Sequence, residues 1–308
     1  MKYLNSKEVA NILGINISTL KRWTDNGTIK CKKTPGGHRK FTMQHIREYY
    51  KNNKQSGKNF GAVLDTIEHK EIYKFIKNND FDNLTQRLAK TSILSDDHSV
   101  NTIIRSSYMS GYPVADIFDK IIEPASDIVE SWLHSKSISH IEEYISRKLI
   151  TRGVETLNED NPNGVYNGKA ALCINFEDDL PDLGIAMSEV VLRHCGYNVF
   201  NSGSHAELGS LNNIIVKEKI DTLVFYLCDR QCCRATALNN LKKTGNQVNE
   251  IVNNLQASGI DIIFGGEGLK HLDKLPRKLV KKFNSYNELH SIVSVSYTHM
   301  TLPTIYSV

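Results

Sequence analysis

The sequence contains no run of about 18 apolar residues, the length a helix needs to cross a bilayer. Its opening, MKYLNSKEVA, lacks the apolar stretch of a secretory signal. No membrane span is expected, and the expected location is the cytoplasm. Proline is scarce, with 7 residues in 308, while 40% of the chain is hydrophobic and 23% charged. That balance suits two or three folded domains. Six cysteines (Cys31, Cys173, Cys195, Cys228, Cys232, Cys233) follow no disulfide-framework spacing and should be thiols in a reducing compartment. The run Cys228-x3-Cys232-Cys233 is not a zinc spacing either, and no metal site is expected. No GxGxxG stands where a dinucleotide-binding fold would place it.

What the sequence does have is a strong charge asymmetry. Residues 1–58 hold 13 Lys+Arg against 3 Asp+Glu, a surplus of ten, whereas the chain as a whole carries only +4. A basic end joined to an acidic body points to a nucleic-acid-binding module. Its local patterns agree. Asn5 and Glu8 form a capping-box pair ahead of Val9, Ile12 and Leu13, and this first helix ends at Gly14. A second helix over 17–26 sets Leu20 and Trp23 on one face and Ser18, Thr19, Lys21 and Arg22 outward. A strand-like stretch over 29–33, the turn Thr34-Pro35-Gly36-Gly37 and then His38-Arg39-Lys40-Phe41 make a basic wing. Ser18, Thr19, Lys21 and Arg22 suit base edges; Lys30, Lys32, Lys33, His38, Arg39 and Lys40 suit the wing and phosphates. Over residues 2–50 the order and spacing resemble the MerR family with a TPGGHRKF-like wing. That resemblance implies a dimeric reader of inverted repeats. Residues 51–61 are polar and read as a linker that overlaps the end of a 1–58 DNA-binding domain.

Residues 62–160 show helical spacing and no strand alternation. Val114, Ile117, Phe118, Ile121, Ile122, Ala125, Ile128, Val129 and Trp132 predict one core helix kinked at Pro124. Shorter helices are expected over 67–75, 84–93, 100–109 and 138–157, together forming a bundle. From residue 165 to 293 short apolar runs alternate with helical stretches, with strands expected at 169–176, 197–200, 222–227 and 261–264. This pattern implies a parallel Rossmann-like sheet with ligands at the strands' carboxyl ends. The fold class is therefore multidomain α and α/β: winged helix-turn-helix, helix bundle and Rossmann-like parallel sheet.

This domain order, with particular residues, resembles cobalamin-dependent photoreceptor repressors. Trp132 and Glu142 match a Trp-x9-Glu-His pattern, with Glu143, or Tyr144 in a shifted register, where the His would stand. Trp132 as core and Glu142-Glu143 as a solvated helix face is the other reading. Asp179 and Gly184 match an Asp-x-His-x-x-Gly motif, with Pro181 in place of the His, and Gly265-Gly266-Glu267-Gly268 resembles the glycine turn that a nucleotide tail approaches, a plain strand-to-loop turn being the other reading of those glycines. Gly203 lies in another strand-end loop. The resemblance thus implies a cobalamin site at Trp132, Glu142, Glu143, Asp179, Gly184, Gly203, Gly265, Gly266 and Gly268, from which both cobalt-associated histidines are missing. Cys228, Cys232 and Cys233, near Arg230 and Arg234, are alternative redox or metal sensors, and His205 is an alternative ligand with the wrong spacing. Finally, Val295 to Thr304 resembles the translation of a sequencing adapter, so residues 294–308 are read as a non-native tail.

The resulting expectation is a DNA-binding transcriptional regulator, a repressor without enzymatic activity, assembled as a dimer or tetramer. Its module of cobalamin-binding type is degenerate. The alternatives are a cobalamin-binding light or ligand sensor with a non-standard ligand, and a corrinoid-carrying enzyme subunit. A protein acting through a cobalamin-binding paralogue also remains open.

Overall fold

The computed structural model describes residues 3–13, 15–52, 67–160, 166–175, 183–203, 208–230, 240–255, 259–272 and 280–298. Two compact units are present, Met1–Asn163 and Gly164–Val308.

In the first unit, helix α1 (Ser6–Leu13) begins where the capping pair predicts. The Asn5 side chain accepts from the Glu8 amide at 3.0 Å, and the Asn5 amide donates to the Glu8 carboxylate at 2.6 Å. Helix α2 (Ile17–Asp25) follows and buries Leu20. Strands β1 (Lys32–Lys33) and β2 (Arg39–Lys40) form the two-stranded wing, pairing Lys32 with Lys40 and Lys33 with Arg39. The strand is shorter than the 29–33 expected, because Ile29 turns inward to the core. A helix absent from the sequence reading, α3 (Met43–Asn52), closes the module by burying Ile46 and stacking Tyr49 on Trp23 at 5.0 Å. It takes two residues, Lys51 and Asn52, from the stretch read as linker. Val9, Leu13, Leu20, Ile29, Phe41 and Ile46 make a small but complete core.

The bundle contains α4 (Ile67–Lys77), α5 (Phe81–Ile93), α6 (Asp97–Met109), α7 (Val114–Ile117), α8 (Glu123–His134) and α9 (His140–Glu155). Helix α5 is the centre, packing against α4, α6, α8 and α9, and a buried Ser92–Ser146 hydroxyl contact of 2.6 Å ties it to α9. The long helix expected over 114–132 is not uniform. A π-helical turn, Phe118–Ile122, separates α7 from α8, and Pro124 lies in the first turn of α8. Proline has no amide hydrogen and its ring crowds the preceding turn. The widened turn absorbs that misfit in place of a simple kink.

The second unit is a parallel sheet of β3 (Ala170–Ile174), β4 (Asn198–Asn201), β5 (Thr222–Tyr226), β6 (Asp261–Gly265) and β7 (Val280–Phe283), in the order β4-β3-β5-β6-β7. It is interleaved with α10 (Leu183–His194), α11 (Leu211–Glu218), α12 (Leu241–Leu255) and α13 (Tyr286–Thr298). Alternate strand residues Leu172, Ile174, Leu223, Phe225, Ile262 and Phe264 share one apolar cluster with α11 and α12. Helices α10 and α13 pack on each other, α10 also touching β3, β4 and β5, and α13 touching β7. The fifth strand, β7, is missing from the sequence reading, since its two exposed central lysines hide the pattern. Helix α13 continues past Val293 to Thr298, into the segment read as a non-native tail.

Candidate functional site

On the first unit, α2 and the wing present one basic surface. Ser18, Lys21 and Arg22 are exposed along α2 and Thr19 is half-buried; Lys30, Lys32, Lys33 and His38 are exposed, while Lys40 is half-buried. A concavity of about 550 Å³ lies between the starts of α1 and α2 and the wing, with Ser6, Lys7, Ile17, His38 and Lys40 among its lining residues. Two of the cations are held in place. The Lys30 ammonium pairs with Glu48 of α3 at 3.0 Å, and Lys32 lies 5.8 Å from the centroid of the Tyr3 ring.

Arg39 has a different position from its neighbours. Its side chain is only 16% exposed, with Nε donating to Thr24 Oγ1 at 2.6 Å and a terminal nitrogen donating to Asp25 at 2.7 Å. Asp25 also accepts from Lys33 at 3.3 Å. The hydrogen bond from Arg39 is the main reason the Asp25 carboxyl is held below its ordinary range; burial opposes it and Lys33 assists. Asp25 therefore fastens the wing to the end of α2, fixing the spacing between the two basic elements. Sequence reasoning missed Asp25 because nothing local marks a contact made across the wing.

It missed Arg47 for the same reason. From α3, Arg47 donates to the carbonyls of Tyr108 (3.1 Å) and Tyr112 (3.0 Å), and its guanidinium lies 4.5 Å from the Tyr108 ring centroid. One cation thus joins the basic module to the last turn of α6 and the segment that follows it.

In the bundle, Trp132 lies near the end of α8 and Glu142 in the first turn of α9. The Glu142 carboxylate accepts from the Ser139 amide at 2.6 Å and from the Ser139 hydroxyl at 2.7 Å, while the Glu142 amide donates to that hydroxyl at 3.3 Å. The Ser139 backbone bond, with the hydroxyl assisting, lowers its pKa. Glu142 is committed as a helix cap. Glu143 is buried rather than solvated, because its carboxylate pairs with Arg147 one turn later at 3.1 Å. Tyr144 is exposed.

In the second unit, the chain reverses its direction across the sheet between β3 and β5. Open sheets of this order bind ligands at that switch point, beyond the carboxyl ends of the strands. Asp179, Pro181, His205, Cys232 and Cys233 lie outside the described residues. Gly203 has φ +69° and open space at the position of a Cβ. Gly268 is buried, its amide donating to the Leu227 carbonyl at 2.9 Å. The remaining three glycines are already in contact with the chain itself. A Cβ on Gly184 would lie 2.3 Å from the Tyr226 ring, one on Gly265 would lie 1.9 Å from the Phe283 ring, and one on Gly266 (φ +94°) would lie 2.2 Å from the Leu227 carbonyl. Nearby, Asp229 accepts from Lys270 and contacts His271, both at 2.6 Å. Burial opposes ionisation of Asp229, but these two partners outweigh it and lower the pKa. Cys228 is buried. Among the described residues no cluster of three metal-ligating side chains occurs, and no helix is long and apolar enough to cross a membrane.

Comparison with known proteins adds two findings. Residues 3–54 match the helix-turn-helix domain family, so the first module is a helix-turn-helix domain. No curated protein sequence matches the chain. Among solved structures, the monomethylamine corrinoid protein of Methanosarcina barkeri is 14% identical, with a TM-score of 0.52 over 70% of this chain and 99% of that one. That share exceeds the second unit, so the likeness in fold extends into the first. The methanol:cobalamin methyltransferase complex of Methanosarcina barkeri (18% identical, 71% of this chain and 81% of that one, TM-score 0.35) also matches. So does a cobalamin-binding protein from Desulfitobacterium hafniense (13%, 68% and 96%, TM-score 0.33). The chain thus combines a helix-turn-helix domain with a fold like that of a corrinoid protein.

Proposed function

We propose that this protein is a transcriptional regulator of MerR type, a repressor in the cytoplasm that reads an operator as a dimer or higher oligomer. The observation that carries the reading is the coherent basic surface of α2 and wing on a module that matches a helix-turn-helix domain over residues 3–54. Arg22, with Ser18, Thr19 and Lys21, is the reader of base edges. Lys30, Lys32, Lys33, His38 and Lys40 face phosphates, and Arg39 sets the angle of the wing. An operator-binding dimer is favoured because one module of about 50 residues offers little contact area. The rest of the chain serves assembly.

The test is a mobility-shift titration of the full chain against duplex DNA at rising salt. Binding should weaken steeply as salt rises, since phosphate contacts release counterions. Absence of binding at low salt would sink the reading.

A second reading takes its support from the corrinoid protein whose fold is shared: a corrinoid held at the strand ends, as in a light or ligand sensor or a carrier subunit. The residues here do not fit it well. Glu143 and Tyr144 supply no imidazole, Glu142 is used as a cap, and Gly184 of the first motif and Gly265 of the glycine turn are met by Tyr226 and Phe283.

A further inference from the structure

We propose that the strand-end crevice of the second unit is filled by the protein's own aromatic side chains, which exclude a corrinoid and hold the module closed without any ligand. This rests on the corrinoid-protein fold of the preceding reading, and not on DNA binding.

The plug has three rings from three elements. Tyr226 is the last residue of β5, Phe283 the last of β7, and Tyr286 the first of α13. All three are buried. Tyr226 stacks on Tyr286 with centroids 6.3 Å apart and planes 11° from parallel; Phe283 tilts against both, at 6.2 and 5.9 Å. The Tyr286 hydroxyl donates to the Gly184 carbonyl at 3.2 Å in a buried setting, so this ring is anchored by a hydrogen bond as well as packed.

The location of these rings gives the cluster its meaning. Gly184 is the second residue of α10, the helix that follows β3, and Tyr226 ends β5, so their contact spans the switch point between the two strands. Gly184 and Gly265 each lack a side chain where a backbone must be closely approached. In a ligand-binding crevice the approaching group would be the ligand. Here the approaching groups are Tyr226 and Phe283, at distances that leave no room even for a methyl group. A ligand entering between α10 and the sheet must displace a buried, stacked and hydrogen-bonded cluster. At both glycines the space beside the backbone is occupied by the chain's own rings.

The proposal is tested on the full chain in two measurements. Wild-type protein mixed with hydroxocobalamin and passed over a sizing column should elute without corrinoid absorbance; stoichiometric retention overturns the proposal. Thermal denaturation then tests the filling itself. Gly184→Ala should lower Tm by roughly 5 °C in the presence of Tyr226, because overpacking forces the ring aside. The same substitution in a Tyr226→Ser background should produce no further loss. Additive losses would show that the ring does not occupy that space and overturn the plug. Should Tyr226→Ser fail to fold, Gly265→Ala with and without Phe283→Leu gives the same contrast. DNA binding of the wild type is read separately, so a failure of the regulator reading leaves these results intact.

Discussion

Two acid–arginine pairs, one in the basic module and one in the bundle, use the same chemistry to opposite ends. Asp25 meets Arg39 at 2.7 Å with its carboxylate half exposed, whereas Glu143 meets Arg147 at 3.1 Å with both partners nearly enclosed. Water screens the first pair, so it acts as a clasp that orients the wing and contributes little to stability. The second pair keeps only about a tenth of each side chain in water, so the loss of one partner is felt more strongly there. The first pair thus positions the exposed cations around it, whereas the second holds two helical turns of α9 together.

Breaking the buried pair should have the largest effect. Arg147→Ala removes the ion-pair partner of the buried Glu143, and unfolding monitored by urea titration should show a loss of about 3–5 kcal/mol. A loss below about 1 kcal/mol would place this pair with the exposed one. Next in size is the basic surface of α2 and the wing, proposed above as the DNA reader. Arg22→Ala should lose roughly 1–3 kcal/mol of discrimination between operator and random duplex, while Lys33→Ala should weaken both alike and reduce the salt slope by about 1. Equal effects of the two substitutions on specificity would contradict the assignment of α2 as the reader.

The exposed pair should give a smaller, pH-dependent effect. The Asp25 pKa is lowered in the folded protein from its ordinary 3.8. Its contribution is therefore fully present above that ordinary value and is lost as pH falls through the lowered one. Asp25→Asn should remove this acid-limb dependence from the Tm profile and loosen the wing, seen as faster amide exchange at Lys33 and Arg39. An unchanged profile would mean that the clasp does not form in solution. The smallest expected effect is none at all: DNA binding in adenosylcobalamin, measured in the dark and after illumination, should agree within error. Without an imidazole at Pro181 or Glu143, light creates no new bond that distinguishes two states of the protein. A reproducible tenfold change, about 1.4 kcal/mol of coupling, would point to a replacement ligand, with His140 and His205 the first to substitute.

Much of this was legible in the sequence because it is local. The Asn5–Glu8 cap, the α2 amphipathic face, the TPGG turn and the alternation of strands with helices all follow from neighbours a few residues apart. Helix α3 escaped because its apolar pair, Ile46 and Tyr49, is sparse and its basic and polar residues resemble the linker that follows. The π turn escaped because helical spacing is nearly preserved through it, and Pro124 alone signals a break without saying which kind. Strand β7 escaped because an edge strand with exposed lysines lacks the apolar run that marks β3 and β5.

The sequence by itself determined the basic first module, the order of helical and α/β parts, and the absence of both histidines, since composition, periodicity and residue identity do not depend on distant contacts. Tertiary structure alone decided what the motif residues do. Gly184 and Tyr226 are 42 positions apart, and Gly184 and Tyr286 are 102 apart. Only the crossing of the chain between β3 and β5 and the return of α13 onto α10 bring them together. A glycine in a motif shows that something must come close to the backbone; the identity of that group, a ligand or the chain's own ring, is set by packing between elements remote in sequence.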